Sequence, residues 1–174
     1  MDFEKRIKEL RTDLGELATY EFTHWLIDIG YFIAPAAAKH HSNHVGGLFK
    51  HSQAVAYKLR DMNLKWERPE SPFVVGYLHD ICKTDDYVFT RDALNNRYVD
   101  YNNDCIMPGH GDKSVLMLAG HFELTEEEAR CIQFHMGAFT DKEQWNYYGK
   151  AVERYENVLW THSADMYATR VLGI

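Results

Sequence analysis

Cysteine is scarce in this chain and badly placed for cross-linking. Cys82, Cys105 and Cys131 are odd in number and none belongs to a CxxC pair, which argues against a disulfide framework or a zinc ribbon. No apolar run approaches the ~18 residues that a membrane span needs. The opening Met1-Asp2-Phe3-Glu4-Lys5-Arg6 is charged where a signal peptide would be apolar, so a cytoplasmic location is the expectation. Positive charge is in deficit, with 19 Lys and Arg against 26 Asp and Glu, a net charge of −7. Proteins that grip long nucleic acid usually present a basic stripe, because affinity rests on neutralising phosphates. The balance argues instead for a small substrate held by a metal and a few cations. Several catalytic signatures are missing as well: GxxxxGK[ST], GxGxxG and GxSxG do not occur, and Gly111-Asp112-Lys113-Ser114 lacks the glycine that a P-loop places before its lysine. No repeat, low-complexity run or linker divides the chain, so one domain over 1–174 is expected, large enough to bury a core.

What is present reads as mainly α. Hydrophobic residues make up 45% and aromatics 14% of the 174 residues, a globular composition. Phe3, Ile7, Leu10 and Leu14 mark a first amphipathic helix, and Phe22, Trp25, Leu26, Ile29 and Ile33 a second. Leu48, Ser52, Val55, Leu59 and Met62 mark a third. Phe73 to Ile81 is nearly all apolar and suits a central buried helix. The pattern breaks over 84–109, where Tyr87–Thr90 and Arg97–Tyr101 flank Asn95-Asn96, predicting a small β-hairpin inserted near 87–101. Helical spacing resumes near Asp112. Thr125-Glu126-Glu127-Glu128 is a capping box opening a helix that runs to Gly137, and a last helix is predicted over about 152–172.

Ten histidines are many for this length, and their positions matter more than their number. His51 shares the apolar stripe of the third helix. His79-Asp80 closes the central apolar segment. His110 lies between two glycines just before a helix, His135 falls three residues after Ile132, and Asp165 shares a face with Val158. Buried carboxylates and imidazoles need partners, and a metal ion supplies one for all of them. Such nitrogen and oxygen donors suit one or two divalent ions among Mn, Fe, Ni, Co, Zn or Mg, more histidine tilting toward transition metals.

In this order the motifs resemble the HD superfamily of metal-dependent phosphohydrolases, built as a helical bundle around His…His-Asp…Asp. Gly46-Gly47-Leu48-Phe49-Lys50-His51-Ser52 looks like the segment of the first histidine, Tyr77-Leu78-His79-Asp80-Ile81-Cys82-Lys83 like the doublet, and His162-Ser163-Ala164-Asp165 like the terminal aspartate. Gly109-His110-Gly111 and Phe134-His135-Met136 match positions that hold a second metal in binuclear members. The likeness covers about 35–170, with N-terminal helices in 1–34. Pro35-Ala36-Ala37-Ala38-Lys39, His41, Gly47-Leu48 and His51 also resemble the HD module of OB-fold-plus-HD 3′–5′ exoribonucleases. The chain lacks their OB-like strands and has Met136 where some carry a second histidine. Small standalone HD hydrolases of bacteria and phages look closer still.

The resemblance implies that His51, His79, Asp80 and Asp165 hold a first ion and that Asp80 bridges to a second with His110 and His135. Asp80 and Lys83 are the expected catalytic residues. Lys83, Lys113 and His41 are the expected contacts to a small phosphorylated substrate, a nucleotide by preference. The hairpin and Trp145, Tyr147 and Tyr148 could wall the pocket, and His162 could orient Asp165. The remaining members of the His40–His44 tract read as cleft-lining or capping residues, and His24 and His121 as surface residues. Two alternatives stay open at this point: a 3′–5′ exonuclease on single strands, and a nucleotide sensor that keeps the fold without catalysis.

Overall fold

The apolar spacing seen in the sequence is realised as helices packed on a buried central one. The computed structural model describes residues 3–38 and 42–174. Helix α1 (Phe3–Leu14) buries Leu10 and Leu14, and α2 (Tyr20–Asp28) starts at Thr19, whose hydroxyl accepts from the Phe22 N–H at 3.1 Å. Helix α3 (Gly47–Asp61) turns His51 and Ser52 inward with Leu48, Val55 and Leu59. Helix α4 (Ser71–Leu78) is apolar all round and buried at every position but Phe73, as a helix at the centre of a core must be. It packs most extensively on α3, and Gly76 permits the approach: a Cβ there would come within 2.2 Å of the Ala56 Cα.

The hairpin follows a single helical turn, α5 (Lys83–Asp86). Strands β1 (Tyr87–Arg91) and β2 (Arg97–Tyr101) pair antiparallel, from Tyr87 opposite Tyr101 to Arg91 opposite Arg97. Asp92 holds the connection by accepting the N–H groups of Leu94 and Asn96 at 2.9 and 2.8 Å. Helices α6 (Gly111–Leu118), α7 (Glu126–Gln133), α8 (Trp145–Arg154) and α9 (Asn157–Met166) complete the bundle, and α9 runs into a π turn, Tyr167–Val171. This is a helical fold with one small hairpin. Among the described residues no helix is long and apolar enough to cross a membrane.

Three boundaries differ from the sequence reading, the first being α2, which ends at Asp28 before Ile29 and Ile33. Helix α7 stops at Gln133, short of Gly137, and the last helix expected over 152–172 is two, broken where Tyr155 adopts an extended conformation. The break lets Asn157 start α9 with its side chain turned inward, donating to the Lys65 carbonyl at 2.8 Å and to Glu127 Oε1 at 2.9 Å.

Glu127 and its neighbour Glu128 hold the helix starts together. Glu128 is fully buried, closes the Thr125 capping box, and accepts from Ser71 Oγ at 2.8 Å and from Arg68 Nε and Nη2 at 2.8 and 2.7 Å. Two adjacent carboxylates of α7 thereby fasten the starts of α4 and α9. Truncating Glu128 to alanine leaves Arg68 and Ser71 without their partner. In urea denaturation Glu128→Ala should lose about 3 kcal/mol, at the low end for a broken buried ion pair because Arg68 keeps some exposure. Glu128→Gln, which retains acceptors, should lose clearly less.

Candidate metal centre

The six residues singled out by the sequence converge although they come from five segments. His51 comes from α3, His79 and Asp80 follow α4, His110 precedes α6, His135 lies two residues beyond α7, and Asp165 sits in the last turn of α9. Gly111 makes one of these junctions possible: a Cβ there would meet the Gln133 carbonyl oxygen at 2.0 Å. Only glycine lets the start of α6 press on the end of α7, which sets His110 beside His135 with ring centroids 5.0 Å apart.

Asp80 is the hub, and its two oxygens face different partners. Oδ2 lies 3.4 Å from His51 Nε2, 3.4 Å from His79 Nε2 and 2.5 Å from Lys83 Nζ. Oδ1 lies 2.8 Å from His110 Nε2 and 3.4 Å from His135 Nε2. Asp165 Oδ1 stands 3.1 Å from His51 Nε2 on the Oδ2 side. Candidate donor atoms fall into overlapping triplets, each within 4.8 Å: His51, His79 and Asp80; His79, His135 and Asp165; Asp80, His110 and His135.

The far side of three rings fixes what the near side can do. His79 Nδ1 lies 2.9 Å from the Gly76 carbonyl, His135 Nδ1 2.7 Å from that of Ile132, and His51 Nδ1 3.1 Å from that of Ile174. A carbonyl can only accept, so each Nδ1 carries the hydrogen, and when the ring is neutral its Nε2 presents a lone pair to the cluster. His51 Nε2, His79 Nε2, His135 Nε2 and Asp80 Oδ1 are buried, converge here and make no hydrogen bond of sound geometry. Four buried polar atoms facing one another without partners are what a divalent cation would satisfy. Nitrogen and carboxylate donors together fit a first-row transition ion.

The electrostatics agree in direction. Burial opposes ionisation of Asp80, yet Lys83, His79 and His110 outweigh it and hold the carboxyl well below the usual range. For Asp165 burial again pulls upward, and His51 wins and lowers it. Burial drives His79 down toward the neutral ring that a metal needs. At His51 burial also acts downward, but Asp165 and Asp80 override it and raise the imidazole to about 9.

The cluster forms one side of a cleft of about 430 Å³. Lys83 lines it; Lys113 does not. The Lys113 side chain is 1% exposed and its ammonium lies 2.7 Å from Asp85 and 2.5 Å from Asp86, so its charge is spent fastening α6 to α5. His41 lies outside the described residues, as do Lys39 and His40. Trp145, Tyr147 and Tyr148 belong to α8 and do not line this cleft; of the hairpin only Tyr87 does. His162 hydrogen-bonds the His135 carbonyl at 2.9 Å and packs on Gly137, so it braces the His135 segment and not Asp165. His121 stacks on Trp25 with centroids 4.2 Å apart, and His24 is exposed. The sequence reading missed Phe139, Met136, Met166 and Arg170 as cleft walls. Arg170 sits in the π turn just past Asp165, and its charge on that turn was the available signal.

Protonation supplies a test of the centre. With His51 raised to about 9, its ring is protonated at pH 7, and an entering ion must displace that proton. Affinity for Mn²⁺ should therefore fall as the pH is lowered from 9 to about 6. Calorimetry at pH 7 in two buffers of different ionisation enthalpy should show net proton release on metal binding, from His51 and from His135, where burial acts downward and Asp80 and Asp165 again outweigh it. Equal heats in both buffers would contradict the assignment of His51.

A model of the HD domain matches residues 48–165, from the start of α3 through Asp165, and its span takes in all six clustered residues. No curated protein and no solved structure matches the chain. With well over half of the 174 residues inside the match, the chain belongs to the HD family of metal-dependent phosphohydrolases, whose domains bind divalent metal ions.

Proposed function

We propose that this protein hydrolyses a phosphoester of a nucleotide or short oligonucleotide, using two divalent ions that share Asp80. One observation carries the reading: Asp80 Oδ2 lies nearest His51 and His79 and Oδ1 nearest His110 and His135, so His51, His79 and Asp165 would hold one ion and His110 and His135 the other, although His79, His135 and Asp165 also come within 4.8 Å of one another. Bound divalent ions supply a water of lowered pKa and a polarised phosphoryl oxygen. The chain's own residues do the rest. The backbone carbonyls behind His79 and His135 hold those rings in one tautomer and one orientation. Lys83 reaches the Asp80 carboxylate; with that charge taken up by a cation, the Lys83 ammonium is available to a substrate phosphate at the same edge of the cleft. Arg170, exposed in the same lining, adds a second cation.

The apolar part of the lining favours a flat ring. Phe139, 62% exposed, and Tyr87 line the cleft with Met136 and Met166, an aromatic and thioether surface for a base. A cleft of about 430 Å³ is in the range of small-ligand pockets and suits a mononucleotide better than a strand. A net charge of −7 acts in the same direction.

Purified protein supplied with Mn²⁺, Ni²⁺ or Co²⁺ should release phosphate or nucleoside from nucleotides or artificial phosphodiesters. Asp80→Ala should abolish this, with a loss of at least about a thousandfold, since it removes the group common to both ions. Activity unaffected by that change would sink the metal mechanism.

The two lysines should separate cleanly. Lys83→Ala should raise KM about tenfold or more, the worth of one charge-assisted hydrogen bond. Lys113→Ala should leave KM unchanged and lower the melting temperature, because it strands Asp85 and Asp86. A KM effect at Lys113 equal to that at Lys83 would contradict this division.

A further inference from the structure

A second cavity, of about 330 Å³, lies between α7 and α8 and shares no lining residue with the metal cleft. Its lining is unusual for a chain of net charge −7: three cations, Arg130, Lys150 and Arg154, against the single carboxylate of Glu126. Glu126 is already engaged by Arg154 at 3.2 Å. Arg130 and Lys150 are exposed, and neither has an ion-pair partner among the described residues. Between the cations the surface is aromatic. Phe134 and Tyr155 line it, and Tyr147 stands at its edge, 63% exposed.

Arg130 is also held in place. Its Nη1 donates to Gln133 Oε1 at 2.7 Å, and Gln133 Nε2 donates in turn to Asp112 Oδ1 at 2.7 Å. Gln144 Nε2 reaches the other Asp112 oxygen at 3.2 Å, closing the chain across to the start of α8. A guanidinium fixed by one nitrogen keeps its other donors pointed at a constant angle, which lowers the ordering cost of capturing an anion. An exposed surface arginine with no such support would have no reason to be held.

We propose that this groove is a second binding site, for a nucleoside phosphate. Arg130 and Lys150 take the phosphate, and Tyr147 offers its face to the base. A bare inorganic anion would use the cations alone, and a bare nucleoside the aromatic surface alone, so a ligand that carries both groups is the one that fits. The site is separate from the metal centre and does not depend on the reaction proposed for it.

The test is calorimetric titration of the whole protein with AMP, adenosine and inorganic phosphate, with EDTA present to remove divalent ions. AMP should bind one to one under these conditions, and more tightly than either fragment. The double change Arg130→Ala and Lys150→Ala should weaken AMP at least about tenfold, as expected for losing charge-assisted hydrogen bonds. Tyr147→Ala should weaken AMP and leave phosphate unchanged. Lys83→Ala, a change in the lining of the metal cleft, should leave AMP binding in EDTA intact. All three groove positions are exposed, so the variants should fold, and an unchanged melting temperature checks it. No binding of AMP at millimolar concentration would overturn the proposal. So would binding that survives the double change, or binding lost only in Lys83→Ala, which would place the nucleotide in the metal cleft. Each of these outcomes is independent of whether Asp80→Ala abolishes hydrolysis.

Discussion

The structure depends on a clamp at one end of three helices that sets three residues of the candidate metal cluster at the other. Ser71, Glu127 and Asn157 lie at or within a residue of the starts of α4, α7 and α9, and Glu127 and Glu128 tie the three starts together. His79, His135 and Asp165 each follow the clamp residue of their own helix by eight positions. The equal spacing carries all three side chains toward the far ends of helices clamped at their starts, with α7 itself ending at Gln133, two residues before His135. The two buried carboxylates of α7 would be costly alone; hydrogen-bonded on every side, they fix register among the helices instead.

The far ends of those helices then determine what kind of ligand the centre accepts. All three approach it through their C-terminal turns, where unpaired carbonyls concentrate negative potential. Two of those carbonyl regions do a second task, receiving Nδ1–H from His79 and His135. The same backbone therefore favours a cation and turns the Nε2 atoms of His79 and His135 toward it. Asp80, nearly without exposure, adds a full negative charge at the convergence point. Lys83 and the neighbouring imidazoles keep that carboxyl ionised in spite of its burial, and a bound divalent cation would add to the compensation.

Much of this was legible in the sequence, for identifiable reasons. The ligands fall beside apolar helical stripes, so a period of 3.6 placed them near the core before any contact was known. The hairpin was visible because β-branched and aromatic residues flank Asn95-Asn96, and Asn95 does adopt a positive φ of 66°. What was not legible depends on contacts across the chain. The break at Tyr155 exists because Asn157 must turn toward Glu127, thirty residues away, and no local propensity marks it. Likewise Trp145, Tyr147 and Tyr148 looked like walls of the metal cleft by composition, yet α8 packs so that Tyr147 borders a different groove.

The two lysines show the same limit in its sharpest form. Each lies near the start of a short helix close to a predicted ligand, and composition treats them alike. Lys83 is three residues beyond Asp80, so helical geometry returns its ammonium to that carboxylate and to the cleft. Lys113 is three residues beyond His110, but the α5 turn brings Asp85 and Asp86 against it from a segment twenty-seven residues earlier. A cation beside two carboxylates is already neutralised and has little attraction left for a phosphate. The distinction between a cation that lines the cleft and a structural tie is thus made by which acids the fold brings near, a property of tertiary packing that no spacing within the helix encodes.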